Sequence, residues 1–230
     1  MTILLYDLVG RDNSRPFSPH CWKARMALAH KGLDFESVPT GFVEVPKIEN
    51  GFARTVPVIR DGDRLIVDSF EIALYLEDKW PDAPTLFGGE GGKAMARFIE
   101  RWAQLVVGPY IVKAIMMDIF NSIRAEDRGY FRENRESRYK KKLEDIPANR
   151  DTERPGLLQA LQPLRDMLGY QPFIGGNSPL FSDYIVFGSF QFARIISPFR
   201  FLEPDDPVLA WFDRCLDLHD AAGRKVSAAA

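Results

Sequence analysis

The sequence predicts two domains, an N-terminal α+β domain and a C-terminal domain built of helices alone. Strand and helix signals alternate over the first 80 residues, and a segment rich in proline and glycine follows. Beyond that segment the apolar residues recur almost throughout with the 3.6-residue period of a helix. The predicted bounds are 1–80 for the first domain, 81–92 for the linker and 93–230 for the helical domain.

The first domain begins with a predicted β-α-β unit. Residues 3–8 form a short apolar run that is typical of a buried strand, and a polar loop containing Gly10 follows. Residues 19–31 show helical spacing and are followed by Gly32, a common helix stop; residues 35–38 form a second strand. We expect these two strands to be parallel with a right-handed crossover.

A hairpin and a helix complete this domain. Residues 56–60 and 65–68 have the composition of strands, and Asp61-Gly62-Asp63 between them is typical of a tight turn. Residues 69–79 form a helix that ends before Trp80-Pro81. In the second domain, apolar stripes at helical spacing are carried by Leu157, Leu161, Leu164 and Leu168 and by Trp211, Cys215 and Leu218.

Composition places the chain among ordinary globular proteins. Hydrophobic residues make up 46% and charged residues 27% of its 230 residues, and its net charge is −2. This charge gives no bulk attraction to nucleic acid or to anionic lipid. Two cysteines do not make a disulfide framework and fit a reducing compartment, so we expect a cytoplasmic protein without a membrane segment.

Ser18 lies where the first loop meets the first helix. A serine before Pro19 suits an N-cap followed by a first helical residue, and capping alone would explain the pair. The same place suits a thiolate, because the positive end of the helix dipole and a hydroxyl donor meet there. The segment also matches a Cys-x-x-Cys motif with Ser18 in the first position, which disfavours dithiol chemistry at Cys21.

Two further pieces suit the backbone and the carboxylate of a small peptide. Val56-Pro57 begins a strand, and a cis bond there would turn the Val56 amide and carbonyl outward; the local sequence leaves cis and trans open. Asp68-Ser69 begins a helix, and Asp68 with Glu71 fits a capping box. A helix N-terminus with a spare hydroxyl also suits a bound carboxylate.

The chain resembles the glutathione S-transferases over nearly its whole length. The resemblance is carried by Ser18-Pro19 with Trp22-Lys23-Ala24-Arg25, by Val56-Pro57-Val58-Ile59, by Asp68-Ser69, by Tyr75-Leu76-Glu77, by residues 81–87, by Phe173-Ile174-Gly175-Gly176 and by Asp183. It implies a thioredoxin-like domain followed by a helical domain, and a homodimer. One departure is Leu180, where the family usually has a polar helix cap; Ser182 or Asn177 would then replace it.

The resemblance also implies roles for individual residues. Ser18 would be the catalytic hydroxyl that stabilises the thiolate of glutathione, the co-substrate. Pro57 would be cis and Val56 would pair with the cysteinyl backbone, while Asp68 and Ser69 would hold the γ-glutamyl end. No metal is implied.

Within the family, the chain is most similar to the bacterial β-etherases and the related fungal Fua-type transferases. The shared features are Phe17-Ser18-Pro19, His30-Lys31-Gly32, Pro39-Thr40-Gly41-Phe42, Gly108-Pro109, Asp205-Asp206-Pro207, Trp211, Asp213-Arg214 and Gly223-Arg224. This likeness implies cleavage of an alkyl aryl ether by glutathione with release of a phenol.

The leading hypothesis is therefore a transferase that joins glutathione to an aromatic electrophile. We expect the electrophile in an apolar cleft walled by the loop 9–17, which ends at Phe17, and by one face of the first helix after the linker, with Trp102, Val106 and Tyr110. The alternatives are a carrier of hydrophobic ligands without turnover and a glutathione-dependent thiol reductase.

Two other patterns favour no further site. His20, His30 and His219 lack the spacing of metal ligands. The segment 128–154 is rich in charges of both signs, which indicates a solvated helix face and not a nucleic-acid surface.

Overall fold

A computed structural model of the chain describes residues 2–229. The first domain is a four-stranded sheet in the order β2-β1-β3-β4 with two helices. Its elements are β1 Ile3–Leu8, α1 Pro19–His30, β2 Phe35–Thr40, β3 Val58–Asp61, β4 Arg64–Val67 and α2 Ser69–Lys79. β1 and β2 are parallel, and β1-β3 and β3-β4 are antiparallel, so the predicted β-α-β unit and hairpin are confirmed.

The second domain is helical, as predicted. Its helices are α3 Glu90–Trp102, α4 Gly108–Ala114, α5 Met116–Ser122, α6 Asp127–Tyr139, α7 Arg150–Ala160, α8 Gln162–Leu168, α9 Phe181–Ile196, α10 Pro207–Leu216 and a last short turn, α11 Leu218–Ala221. Helix α3 starts at Glu90, so the end of the predicted linker forms its first turn. Among residues 2–229 no single helix has the length and hydropathy to span a membrane; only Glu90–Ala114 and Met116–Ser122 do so jointly, with a 64° bend between them.

Helix α9 fixes the position of α1 and of the loop before it. The helix is almost entirely buried, and a Cβ at Gly188 would lie 2.3 Å from the carbonyl oxygen of Pro19. Glycine therefore allows the backbone of α9 to approach the first turn of α1. The Trp22 ring meets Phe187 edge-on at 5.9 Å, and the buried Lys23 ammonium lies 3.1 Å from Glu100 on α3. The N-terminus of α1 is thus held at the boundary between the domains.

The carboxylate of Asp183 ties together the start of α9, the loop before it and α10. It accepts hydrogen bonds from the backbone amides of Ile174 (2.7 Å), Gly175 (2.9 Å) and Leu180 (3.0 Å) and from the Trp211 indole (2.9 Å). Leu180 is the N-cap residue, and no side chain accepts a capping hydrogen bond there. The expectation that Ser182 or Asn177 replaces the missing cap is therefore wrong, because the Asp183 amide donates to the Leu180 carbonyl oxygen at 2.9 Å instead.

Candidate active site

A cavity of about 410 Å³ opens between the two domains at the N-terminus of α1. The first domain contributes Leu8, Phe17, Ser18, Pro19, His20, Phe42, Val45, Pro46, Arg54, Thr55 and Val56, and the helical domain contributes Val112, Ile119, Tyr130, Phe131, Arg135, Arg138 and Phe192. The cavity therefore brings Phe17, Ser18 and Val56 together, whereas Pro57, Asp68 and Ser69 do not line it.

Ser18 is the N-cap of α1. Its φ and ψ are −57° and 126°, and its hydroxyl oxygen accepts a hydrogen bond from the Cys21 amide at 3.3 Å. Because the amide uses a lone pair of the oxygen, the hydroxyl hydrogen is left to donate. Capping and thiolate binding, which the sequence left as alternatives, are therefore compatible in one side chain.

Cys21 lies one turn further along α1, and its thiol is not available for chemistry. Its side chain is fully buried, and its thiol lies 3.8 Å from the Tyr6 carbonyl oxygen. Burial raises the pKa of this thiol well above its usual value, and the nearby Asp7 carboxylate adds to the rise. A thiol that is inaccessible and protonated is a poor nucleophile, which disfavours the thiol reductase alternative.

The Val56-Pro57 peptide bond is cis. Strand β3 begins at Val58, two residues later than the sequence predicts, and Val56 lies on the cavity wall. The Pro57 carbonyl accepts a hydrogen bond from the Asp68 amide at 3.3 Å. This bond places the start of α2 directly beside the Val56-Pro57 segment.

Asp68 and Ser69 form the N-terminus of α2. The Asp68 carboxylate accepts bonds from the amides of Phe70 (2.8 Å) and Glu71 (3.2 Å), but Glu71 pairs with Arg97, so only half of the predicted capping box forms. Asp68 has a φ of 80°, a conformation that costs about 1–3 kcal/mol in a non-glycine residue and is concentrated at functional sites. The Ser69 hydroxyl is buried and has no hydrogen-bond partner within residues 2–229.

The deep wall of the cavity is made of phenylalanines. The Phe17 ring stacks on Phe192 at 6.0 Å and is tilted against Phe42 at 6.2 Å, and Phe42 meets Phe131 edge-on at 5.4 Å. Rings in these orientations offer both faces and edges to an aromatic ligand. The rest of the loop 9–17 lies apart from this wall: Gly10, Arg11, Asp12 and Arg15 line a smaller neighbouring cavity.

The predicted contribution of Trp102, Val106 and Tyr110 is wrong, because none of them lines the cavity. A π-helical segment, Ala103–Val107, separates α3 from α4 and shifts the following residues around the helix axis by one position, about 100°. Tyr110 therefore turns into the helical domain, where its hydroxyl donates to the Arg150 carbonyl. Val112 faces the cavity instead.

Residues of α6 line the cavity although the sequence assigned this segment to a solvated face. Phe131, Arg135 and Arg138 follow the i, i+4, i+7 spacing of one helix face and all reach the cavity. That spacing was the available signal, and the many charges of the segment obscured it.

Comparisons with known proteins identify relatives of both parts of the chain. Family models described as the N-terminal and the C-terminal domain of glutathione S-transferase match residues 14–84 and 94–204. Glutathione S-transferase Z1 of Arabidopsis thaliana is 41% identical over 69 residues, which are 28% of this chain and 31% of that protein. Glutathione S-transferase U16 of the same plant is 26% identical over 180 residues, 76% of this chain and 67% of that protein. The match to the Z1 protein thus spans about a third of the relative's length.

Solved structures of fungal proteins share the fold. The glutathione transferase GSTFuA3 of Phanerochaete chrysosporium superposes with a TM-score of 0.74 at 24% identity, over 98% of this chain and 94% of that one. The protein CsGST63524 of Ceriporiopsis subvermispora, solved in complex with glutathione, gives 0.78 at 20% identity, over 96% and 97%.

Proposed function

Because the chain belongs to the glutathione S-transferase family, we propose that it transfers glutathione, as the thiolate, to an aromatic electrophile held in the cavity. One observation carries the proposal. A hydroxyl at a helix N-terminus, with its hydrogen left to donate, lies in the same cavity as a wall of four phenylalanine rings. Glutathione supplies the attacking sulfur, and the chain supplies position, a hydrogen bond and a site of low polarity.

The residues of the first domain fit the parts of glutathione. Ser18 would donate to the sulfur, and the Val56 backbone would pair with the cysteinyl residue. Asp68 and Ser69 would hold the γ-glutamyl end, and the buried Ser69 hydroxyl without a partner supports this assignment. An unpaired buried hydroxyl is costly, so a ligand that supplies its partner is favoured.

Ser69→Ala is expected to weaken glutathione binding by about 1–3 kcal/mol, the usual cost of leaving a charged group one hydrogen bond short. Isothermal titration with reduced glutathione measures this difference. Ser178→Ala serves as a control that removes an exposed hydroxyl from the loop before α9. Equal affinity of wild type and folded Ser69→Ala would remove Ser69 from the site.

For the electrophile we propose a β-aryl ether. The thiolate would attack the carbon that bears the aryloxy group, the carbon–oxygen bond would break, and the phenolate would leave and take a proton from water. The support is the β-etherase-like pattern from Phe17 to Phe42 and from Asp205 to Arg224, together with the phenylalanine wall. In-line positioning can supply roughly 7–11 kcal/mol of a barrier in model systems, so the step needs no second acid or base.

A model ether that carries a fluorescent phenol is expected to release the phenol only with glutathione present, and a glutathione thioether should form in equal amount. Fluorescence and mass spectrometry follow the two products. Turnover of a halonitroarene without any phenol release would make the chain a general conjugating transferase. Tight binding of hydrophobic dyes without turnover of either substrate would favour the carrier alternative.

We propose that the protein acts as a cytoplasmic homodimer. Three apolar side chains are exposed along α3 and the π-helical segment, namely Met95 (43%), Phe98 (68%) and Leu105 (66%). Met95 and Phe98 are three residues apart on one helix face, and exposed apolar patches are typical of association surfaces. Sedimentation equilibrium tests this, because a monomer at micromolar concentration would contradict the proposal.

A further inference from the structure

The cavity is positively charged in a chain that is slightly acidic overall. Arg54, Arg135 and Arg138 line it, and no aspartate or glutamate does among the described residues. The chain as a whole has 30 basic and 32 acidic side chains, so this local excess is not a consequence of composition. Charged groups that line a cleft of low polarity without counter-ions favour an anionic ligand.

Arg135 is the most confined of the three arginines. Its guanidinium lies over the Phe131 ring at 4.8 Å, and its Nε is buried without a hydrogen-bond partner within residues 2–229. Its one side-chain partner is the neutral Asn134 amide oxygen. Burial lowers the pKa of this guanidinium, and the neighbouring Arg138 adds to the lowering.

A neighbour on the same helix shows the contrast. Arg132, one turn away, pairs with Glu136 at 2.9 Å and with Glu144 at 2.6 Å and does not line the cavity. Glu136 and Glu144 therefore neutralise Arg132, whereas no carboxylate among the described residues pairs with Arg135 or Arg138. An ion pair within the protein accounts for the presence of Arg132 on this helix, but no such pair accounts for Arg135 or Arg138.

The three arginines belong to two different walls. Arg54 precedes Val56 by two residues and belongs to the domain proposed to hold glutathione. Because glutathione carries carboxylates of its own, its binding accounts for Arg54. Arg135 and Arg138 come from the helical domain, on the same helix as Phe131 of the aromatic wall. They lie where the second substrate would be bound.

We infer that the second substrate is an aromatic anion, with its ring on the phenylalanine wall and its carboxylate, or a similar oxyanion, on Arg135 and Arg138. The inference rests on the proposed glutathione transfer and narrows its substrate class. A guanidinium binds a carboxylate through two parallel hydrogen bonds, and an aromatic ring stacked beneath the guanidinium restricts its orientation. Neutral aromatic electrophiles would still bind, but without this contribution.

Calorimetry with unreactive conjugates tests the inference. S-benzylglutathione is compared with S-(3-carboxybenzyl)glutathione and S-(4-carboxybenzyl)glutathione, which differ from it only by one carboxylate. Wild type is expected to bind at least one carboxybenzyl conjugate about 10-fold or more tightly than the benzyl conjugate, as one charge-assisted hydrogen bond predicts. Arg135→Gln should weaken the binding of the carboxybenzyl conjugate much more than that of S-benzylglutathione and so abolish this preference, and Arg132→Gln should preserve it.

The outcomes separate the inference from the proposed function. Binding of all three conjugates with equal affinity to wild type would overturn the inference alone. If Arg135→Gln lowers the affinity for the benzyl and carboxybenzyl conjugates equally, Arg135 binds the glutathione part of the conjugate, and the inference is likewise overturned. Failure of every conjugate to bind would overturn the proposed function, and the inference with it. Arg138→Gln replaces Arg135→Gln if the latter does not fold.

Discussion

Ser18→Ala is expected to lower kcat/KM for glutathione transfer to a halonitroarene by roughly 10- to 150-fold, the rate equivalent of one hydrogen bond to a charged group, about 1.5–3 kcal/mol. The Ser18 hydroxyl oxygen accepts from the Cys21 amide, so its hydrogen is left for the sulfur. Without that hydrogen the thiolate loses its donor, and a larger fraction of bound glutathione is protonated at neutral pH.

Two variants control for the structural role of Ser18. The alanine also removes a helix cap worth about 0.5–2 kcal/mol, so the unfolding free energy is measured beside the rate. Ser18→Thr keeps both the cap and the hydroxyl and should retain most of the activity. Cys21→Ser changes the adjacent buried thiol and should leave the rate unchanged; a Cys21→Ser variant without activity, next to a fully active Ser18→Ala, would revive the reductase alternative.

Asp183→Ala is expected to reduce the free energy of unfolding by about 3–5 kcal/mol, because several buried hydrogen-bond donors lose their acceptor together. Its carboxylate is fully buried and accepts four hydrogen bonds, from three backbone amides and the Trp211 indole. Alanine leaves all four donors buried and unpaired, and the hydrogen bond that joins α9 to Trp211 of α10 is lost.

Urea unfolding followed by circular dichroism measures this loss. Asp183→Asn keeps an oxygen acceptor and should be destabilised less than the alanine variant. Asp82→Ala removes an exposed carboxylate in the linker and should change stability by no more than about 0.5 kcal/mol. A loss below about 1 kcal/mol in Asp183→Ala would show that the four donors find other partners.

The elements that sequence predicts well are those defined by local patterns. β1, α1 and α2 begin and end within two residues of their predicted bounds, because apolar periodicity, Ser18, Gly32 and Asp68 are short-range signals. The N-cap at Ser18 is likewise a local feature, and the structure confirms it.

Features that depend on distant residues were harder to predict. The donors to Asp183 come from a loop nine residues earlier and from a tryptophan 28 residues later, so no local window contains them. The π-helical segment after Trp102 moved the predicted second-substrate face, since a helical wheel assumes a constant period. Arg135 could be distinguished from the solvated Arg132 only once Glu136 and Glu144 were located beside the latter.

The central claim is that this protein holds glutathione as a thiolate at Ser18, and ultraviolet difference absorbance of bound glutathione as a function of pH tests it most directly. One charge-assisted hydrogen bond corresponds to about 1–2 pKa units, so the thiol of glutathione bound to wild type should titrate that far below free glutathione. Ser18→Ala should return the pKa most of the way to the free value. Saturating binding to wild type with the pKa of free glutathione, unchanged in Ser18→Ala, would contradict the account.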